Sequence, residues 1–193
     1  MRWTVILGAL ALGGCATAEL PQSPQGAFFN RLLSLCGQSF EGRIVSPVTE
    51  ADSAFAGRRL VMHVRDCSPT EIRIPFNVGE DRSRTWVVTR TGTGLRLKHD
   101  HRHEDGSEDK LTQYGGDTVD EGTARRQEFP ADQFSKDMFV RESIPQSVTN
   151  VWAMEVEPGQ VFAYELRRPN RFFRVDFDLA RRVPTPPPSW GQN

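Results

Sequence analysis

Apolar residues recur at a near-fourfold spacing early in the chain and then change to alternation. Phe28, Leu32 and Leu35 stand at i, i+4 and i+7, with Phe29, Leu33 and Cys36 beside them. Ser23-Pro24 ahead of them reads as an N-cap followed by a first-turn proline, and Gly37 as the stop. This predicts one short amphipathic helix with its apolar stripe packed on a sheet. From Ser39 onward the period becomes two, the repeat of a half-buried strand. Strands are predicted at 39–46, 58–67, 70–78 and 84–91, with Ser68-Pro69 and Gly79-Glu80-Asp81 as turns. Residues 49–57 read as a loop with one helical turn, from the capping pattern Thr49-Glu50-Ala51-Asp52. In 71–76 the alternation puts Ile72, Ile74 and Phe76 on one face, and Pro75, lacking an N–H, belongs at an edge, bulge or bend.

The next stretch, 95–114, predicts two extended arms joined by a turn at Glu104-Asp105-Gly106-Ser107. Leu95, Leu97, His99, His101 and His103 share one face of its first arm. Gly115-Gly116 should break the hairpin. A short strand at 125–129, a short helix or lid turn at 130–138, and strands at 146–156, 160–168 and 171–179 complete the pattern. The tail from Val183, with Pro184, Pro186, Pro187 and Pro188, is expected to be extended and disordered, and Trp190 to pack on nothing.

About eight to ten short strands with little helix mean a sandwich or barrel. The layout, a helix leading through a glycine into a first strand and then antiparallel neighbours, resembles the lipocalin or calycin up-and-down barrel. The first-strand Gly-x-Trp of lipocalins is replaced here by Gly37-Gln38-Ser39-Phe40. The expected fold is therefore mainly β, an antiparallel up-and-down barrel with a short N-terminal helix, over 24–182. Eight strands leave an interior just wide enough for side chains or one small ligand.

The N-terminus changes the picture of where such a barrel works. Met1-Arg2 is a basic start, Trp3–Leu12 an apolar run too short to span a bilayer, and Leu12-Gly13-Gly14-Cys15 resembles the lipobox of bacterial lipoproteins. That resemblance implies a signal peptide over 1–14, lipidation of Cys15 and a tether over 15–23. Ala16 after the cysteine implies the outer membrane, with the domain facing the periplasm. Each buried CH₂ of the anchor contributes about 0.8 kcal/mol. Cys36 and Cys67 then remain, and in an exported protein an even remainder suggests a disulfide, the alternative being two buried thiols.

Charge adds an exclusion. Against 25 Asp+Glu there are 24 Lys+Arg, of which only Lys98, Lys110 and Lys136 are lysine. The balance argues against nucleic acid as partner, and the spread of arginines reads as solvated strand faces.

His99, His101 and His103, with Glu104 nearby, have the residue types for zinc or another transition metal. Two imidazoles at i and i+2 can share one zinc, but the third lies about 13 Å from the first along a strand. The alternative is a strand end hydrogen-bonded to the acids of its own turn. Trp86, Tyr114, Trp152 and Tyr164, with Phe162, read either as walls of a ligand cavity or as core. No nucleophile elbow, phosphate loop or Cys-x-x-Cys is present. The expected function is carriage of a small, partly apolar ligand. The alternatives are a metal site or metal-dependent enzyme on the histidine strand, and an interaction protein with a filled barrel.

Overall fold

The computed structural model describes residues 22–192. The expected helix is α1 (Pro24–Leu33), whose Ser23 hydroxyl accepts from the Gly26 N–H at 3.1 Å. Eleven strands follow among the described residues: β1 (Ser39–Ile44), β2 (Leu60–His63), β3 (Asp66–Cys67), β4 (Glu71–Val78), β5 (Asp81–Arg90), β6 (Leu95–His101), β7 (Tyr114–Asp117), β8 (Arg126–Pro130), β9 (Val151–Glu157), β10 (Val161–Arg168) and β11 (Arg171–Arg182). A second helix, α2 (Gln133–Arg141), lies between β8 and β9. Short 3-10 turns occupy Glu50–Asp52 and Pro145–Thr149.

All strand pairings are antiparallel, and the order is β7-β6-β5-β4-β2-β1-β11-β10-β9-β8, with β3 beside β4. The path follows the chain around a nearly closed barrel, since β1 pairs with the last strand. This agrees loosely with the calycin-like layout. One seam remains, between β7 and β8. There the Asp132 N–H donates to the Gly115 carbonyl at 2.9 Å, and the Ser135 hydroxyl accepts from the Gly115 N–H at 2.7 Å. A Cβ on Gly116 would lie 1.8 Å from the Pro130 carbonyl oxygen, so only glycine lets the two edges come this close.

The inward rows are apolar. Ile72, Ile74, Phe76, Trp86, Val88, Leu95, Leu97, Met154, Phe162, Val175 and Phe177 are all buried in one core. One end of the barrel is stoppered by α1, with Phe28, Phe29 and Leu32 fully buried and the Arg90 guanidinium 4.2 Å from the Phe29 ring centroid. Over the other end lies Phe55, its ring 5.1 Å from that of Phe173 and 6.0 Å from that of Phe76. The turn carrying it is pinned where Arg171 donates to the fully buried Asp52 carboxylate at 2.7 Å. The Cys36–Cys67 disulfide forms, tying the segment after α1 to β3.

Four expectations are corrected. The return arm of the histidine hairpin is largely irregular: Arg102 and Glu108 form an isolated bridge, and regular pairing resumes only at β7. Gly115-Gly116 lies inside β7, because the seam demands residues without side chains there. The strand expected from Gln146 begins at Val151, after a 3-10 turn started by Pro145. The tail is ordered against the barrel: the Val183 N–H donates to the Ser39 carbonyl, the Trp190 N–H to that of Arg82, and Ser189 is buried. The expected signal peptide and Cys15 lie outside the described residues. No helix among the described residues is long and apolar enough to cross a membrane.

Candidate functional site

The histidine strand is oriented as its pattern predicts. Leu95, Leu97 and His99 face the interior of β6, and His101 follows at its end, half-buried. Register sets Trp86 opposite His99 on β5 and Tyr114 opposite it on β7. The result is a run of rings through the barrel. Trp86 stacks on Phe76 at 4.7 Å and on Tyr164 at 4.4 Å between centroids. His99 stacks on Tyr114 at 4.5 Å and lies 5.1 Å from Trp152, and Phe139 of α2 closes over Tyr114 at 5.6 Å.

Hydrogen bonds fix the state of His99. Its Nδ1 is 3.1 Å from the Tyr114 carbonyl oxygen, which can only accept, so Nδ1 carries the proton. Nε2 is then the acceptor, and the Tyr164 hydroxyl donates to it at 2.7 Å. Burial above all, helped by the charge of a protonated His101, pushes the His99 imidazole down to about 3. Burial and Arg84 push His101 down to about 4 against the opposing pull of Asp109 and Asp81. Burial also raises both Tyr114 and Tyr164, Tyr164 well above the ordinary phenol value. At neutral pH the cluster is uncharged and its hydroxyls keep their protons.

This arrangement does not assemble the expected metal set. Both nitrogens of His99 are engaged, and His101 Nε2 faces the Tyr114 hydroxyl at 3.2 Å. His103 is exposed, with its Nε2 3.9 Å from the Asp109 carboxylate, and Glu104 lies in the exposed turn. Among the described residues no three His, Cys, Asp or Glu side chains converge as a metal group. Trp86, Tyr114, Trp152 and Tyr164 do come together, but against one another and His99, not around an opening. Two grooves on the surface were not foreseen. One, of about 640 Å³, follows β1 and β11 where their ladder shifts register, with Gly42, Arg43, Asp176 and Arg181 in its lining. The other, of about 290 Å³, lies beside α1 at Gln25, Arg90 and Gly94.

A second polar cluster sits on the outer wall of β8 to β11. Cross-strand register sets Arg126 opposite Glu155 and Glu165 opposite Arg174. Arg126 donates to Glu165 at 2.6 Å and Arg174 donates to it at 2.5 Å. Arg174 also reaches Glu155 and Asp176, and Arg167 pairs with Glu128. Burial pushes the Glu165 carboxyl up, but the two guanidiniums outweigh it and hold it below its usual range. Bonds from Arg167 lower Glu128 in the same way. From the sequence these arginines read as solvated strand faces; their registration with Glu128, Glu155 and Glu165 into one network depends on cross-strand pairing.

Compared with known protein families, curated proteins and solved structures, the chain shows no match in any of the three.

Proposed function

We propose that the protein is a lipid-anchored envelope lipoprotein whose barrel is a filled, non-catalytic scaffold, and whose outer wall is the surface that meets other proteins. The observation that supports this reading is the interior itself. The side chains expected to wall a ligand cavity fill it, stoppered by α1 and by the Phe55 turn. The two strongly perturbed imidazoles, His99 and His101, are spent on internal hydrogen bonds, which suits a rigid core better than a base facing a cleft. The anchor rests on the Leu12-Gly13-Gly14-Cys15 resemblance, and so does the assignment to the outer membrane, facing the periplasm.

Native mass spectrometry of the protein extracted from its host envelope tests the reading. The expected result is a diacylglyceryl-modified chain beginning at Cys15, with no stoichiometric ligand or metal. A retained apolar molecule would restore carriage in the barrel, and a retained metal the histidine-strand alternative. A Cys15→Ser variant is expected to leave the membrane fraction; its continued tight association would remove the anchor.

A further inference from the structure

The tail takes a definite course over the outer wall. It leaves β11 beside β1, where the Val183 N–H donates to the Ser39 carbonyl at 2.9 Å. It reaches β5, where Arg82 donates to the Pro188 carbonyl at 2.9 Å and Thr85 and Ser189 meet hydroxyl to hydroxyl at 3.3 Å. In the sheet β1 and β5 are separated by β2 and β4. Three strand spacings amount to about 14 Å. Residues 183–188 span about that distance at roughly 3.1 Å per residue in a polyproline conformation. Beyond them Ser189–Gln192 turn back, with Gly191 packed on Gly106 and Arg102, and Arg65 donating to the Gln192 side chain at 3.0 Å.

The wall under this crossing differs from the rest of the outer surface. Ser39, Val61, Asn77 and Thr85 alternate with inward core residues, so they point outward, yet all four are buried. Asn77 is only 3% exposed, and both ends of its carboxamide lack a hydrogen-bond partner among the described residues. The Ser39 hydroxyl and the Trp190 indole N–H are likewise unpartnered among them. A proline-rich segment offers carbonyl acceptors and few N–H donors, and the wall answers at the Pro188 carbonyl with the guanidinium of Arg82. Seating the tail over polar groups that water could reach without it carries a cost, which offsets part of the gain from its contacts.

We propose that the outer wall of β1, β2, β4 and β5 is a docking surface for an extended proline-rich segment, filled here by residues 183–192 of the same chain, and that its occupant in trans is the tail of a second copy. Exchange of tails between two copies repeats every contact the resident tail makes and needs a change of direction only near Arg182, the usual low-cost route to a symmetric dimer. The inference rests on the reading of the outer wall as the working surface.

A fluorescently labelled peptide of residues 183–193 is titrated into the full chain and into its Trp190→Ala variant, both checked for folding by circular dichroism. Weakening the resident tail is expected to tighten peptide binding at least tenfold. Adding Arg82→Ala is expected to weaken it again at least fivefold. Equal affinity for the two chains, or no binding to either at millimolar peptide, overturns the docking surface. Should Trp190→Ala fail to fold, hydrogen exchange on the native chain decides: a Trp190 amide as protected as that of Val88 overturns release. Concentration-dependent dimers that vanish with excess peptide support the second-copy occupant, and a chain monomeric up to hundreds of micromolar overturns it. A ligand retained in the barrel by mass spectrometry would sink the scaffold reading while leaving these peptide results intact.

Discussion

The interior cluster around His99 and the outer-wall cluster around Glu165 solve one problem in opposite ways. Each places polar side chains where water is excluded: His99 is 2% exposed, and the Glu165 side chain 6%. Inside the barrel the groups stay neutral and share protons with tyrosines; on the wall they stay charged and are paired with guanidiniums. A neutral hydrogen-bonded pair tolerates a dry aromatic surrounding, whereas an ionised carboxylate tolerates burial only with partners on several sides. The two clusters should therefore fail in different conditions and in a fixed order as pH falls.

The largest expected effect comes from acid. Both histidines have folded-state values, about 3 and about 4, below the ordinary imidazole value of 6.5. Below pH 6.5 the unfolded chain binds more protons, so stability falls with pH until His101 and then His99 protonate in the fold. Each histidine costs about 1.4 kcal/mol per pH unit in that window. Between pH 6.5 and 4 the loss is on the order of 5 kcal/mol, read as a shift of the urea midpoint. His99→Gln should reduce the slope towards that of one proton; an unchanged slope would place the titration elsewhere. The wall carboxylates respond later. Their depressed values mean that their contribution is present above the usual carboxylate range and is lost as pH falls through the folded values.

Next in size, Trp86→Ala should cost about 3–5 kcal/mol in equilibrium denaturation, since it removes the ring between Phe76 and Tyr164. The loss should be insensitive to salt. Opening the Cys36–Cys67 bond by a Cys36→Ser, Cys67→Ser double substitution should cost about 3–4 kcal/mol on the chain-entropy account. It lies outside both clusters and should leave the pH profile between 4 and 6.5 unaltered. The smallest effect is on the wall: Glu165→Ala should cost about 2–3 kcal/mol, because Arg126 and Arg174 keep other carboxylates. Salt should screen this loss only weakly, because the carboxylate is buried; Glu165→Gln, which keeps the size and removes the charge, should cost nearly as much, and a harmless Glu165→Gln would mean that packing, not charge, carries it.

The sequence was informative where local chemistry decides. Ser23-Pro24 set the start of α1, alternation set the inward rows, and the pattern of β6 told which way His99 faces. What it withheld depends on partners far along the chain. The residue that satisfies His99 is Tyr164, on another strand, so local spacing left both a metal site and a strand end bonded to its own turn open. Gly115-Gly116 looked like a break because glycine is usually punctuation, while here it serves a close approach to Pro130. Four prolines made the tail look disordered, and composition cannot reveal that its backbone bonds back to Ser39 and Arg82 and that its Ser189 meets Thr85 on β5. Trp190 was the available clue, a large aromatic in a segment otherwise without one.

The seam between β7 and β8 has a mechanical consequence. A closed tube resists twisting through continuous shear around its wall, and a tube slit along its length loses most of that stiffness. In this barrel the slit is bridged near Gly115 by Ser135 and the Asp132 backbone, next to the strand that stacks Tyr114 on His99. Torsion of the whole wall is thus concentrated into sliding of two short edges past one small fastener. What resists that sliding is a fastener far smaller than a strand ladder: the Ser135 hydroxyl, the Asp132 backbone bond and the Lys98–Asp132 ion pair.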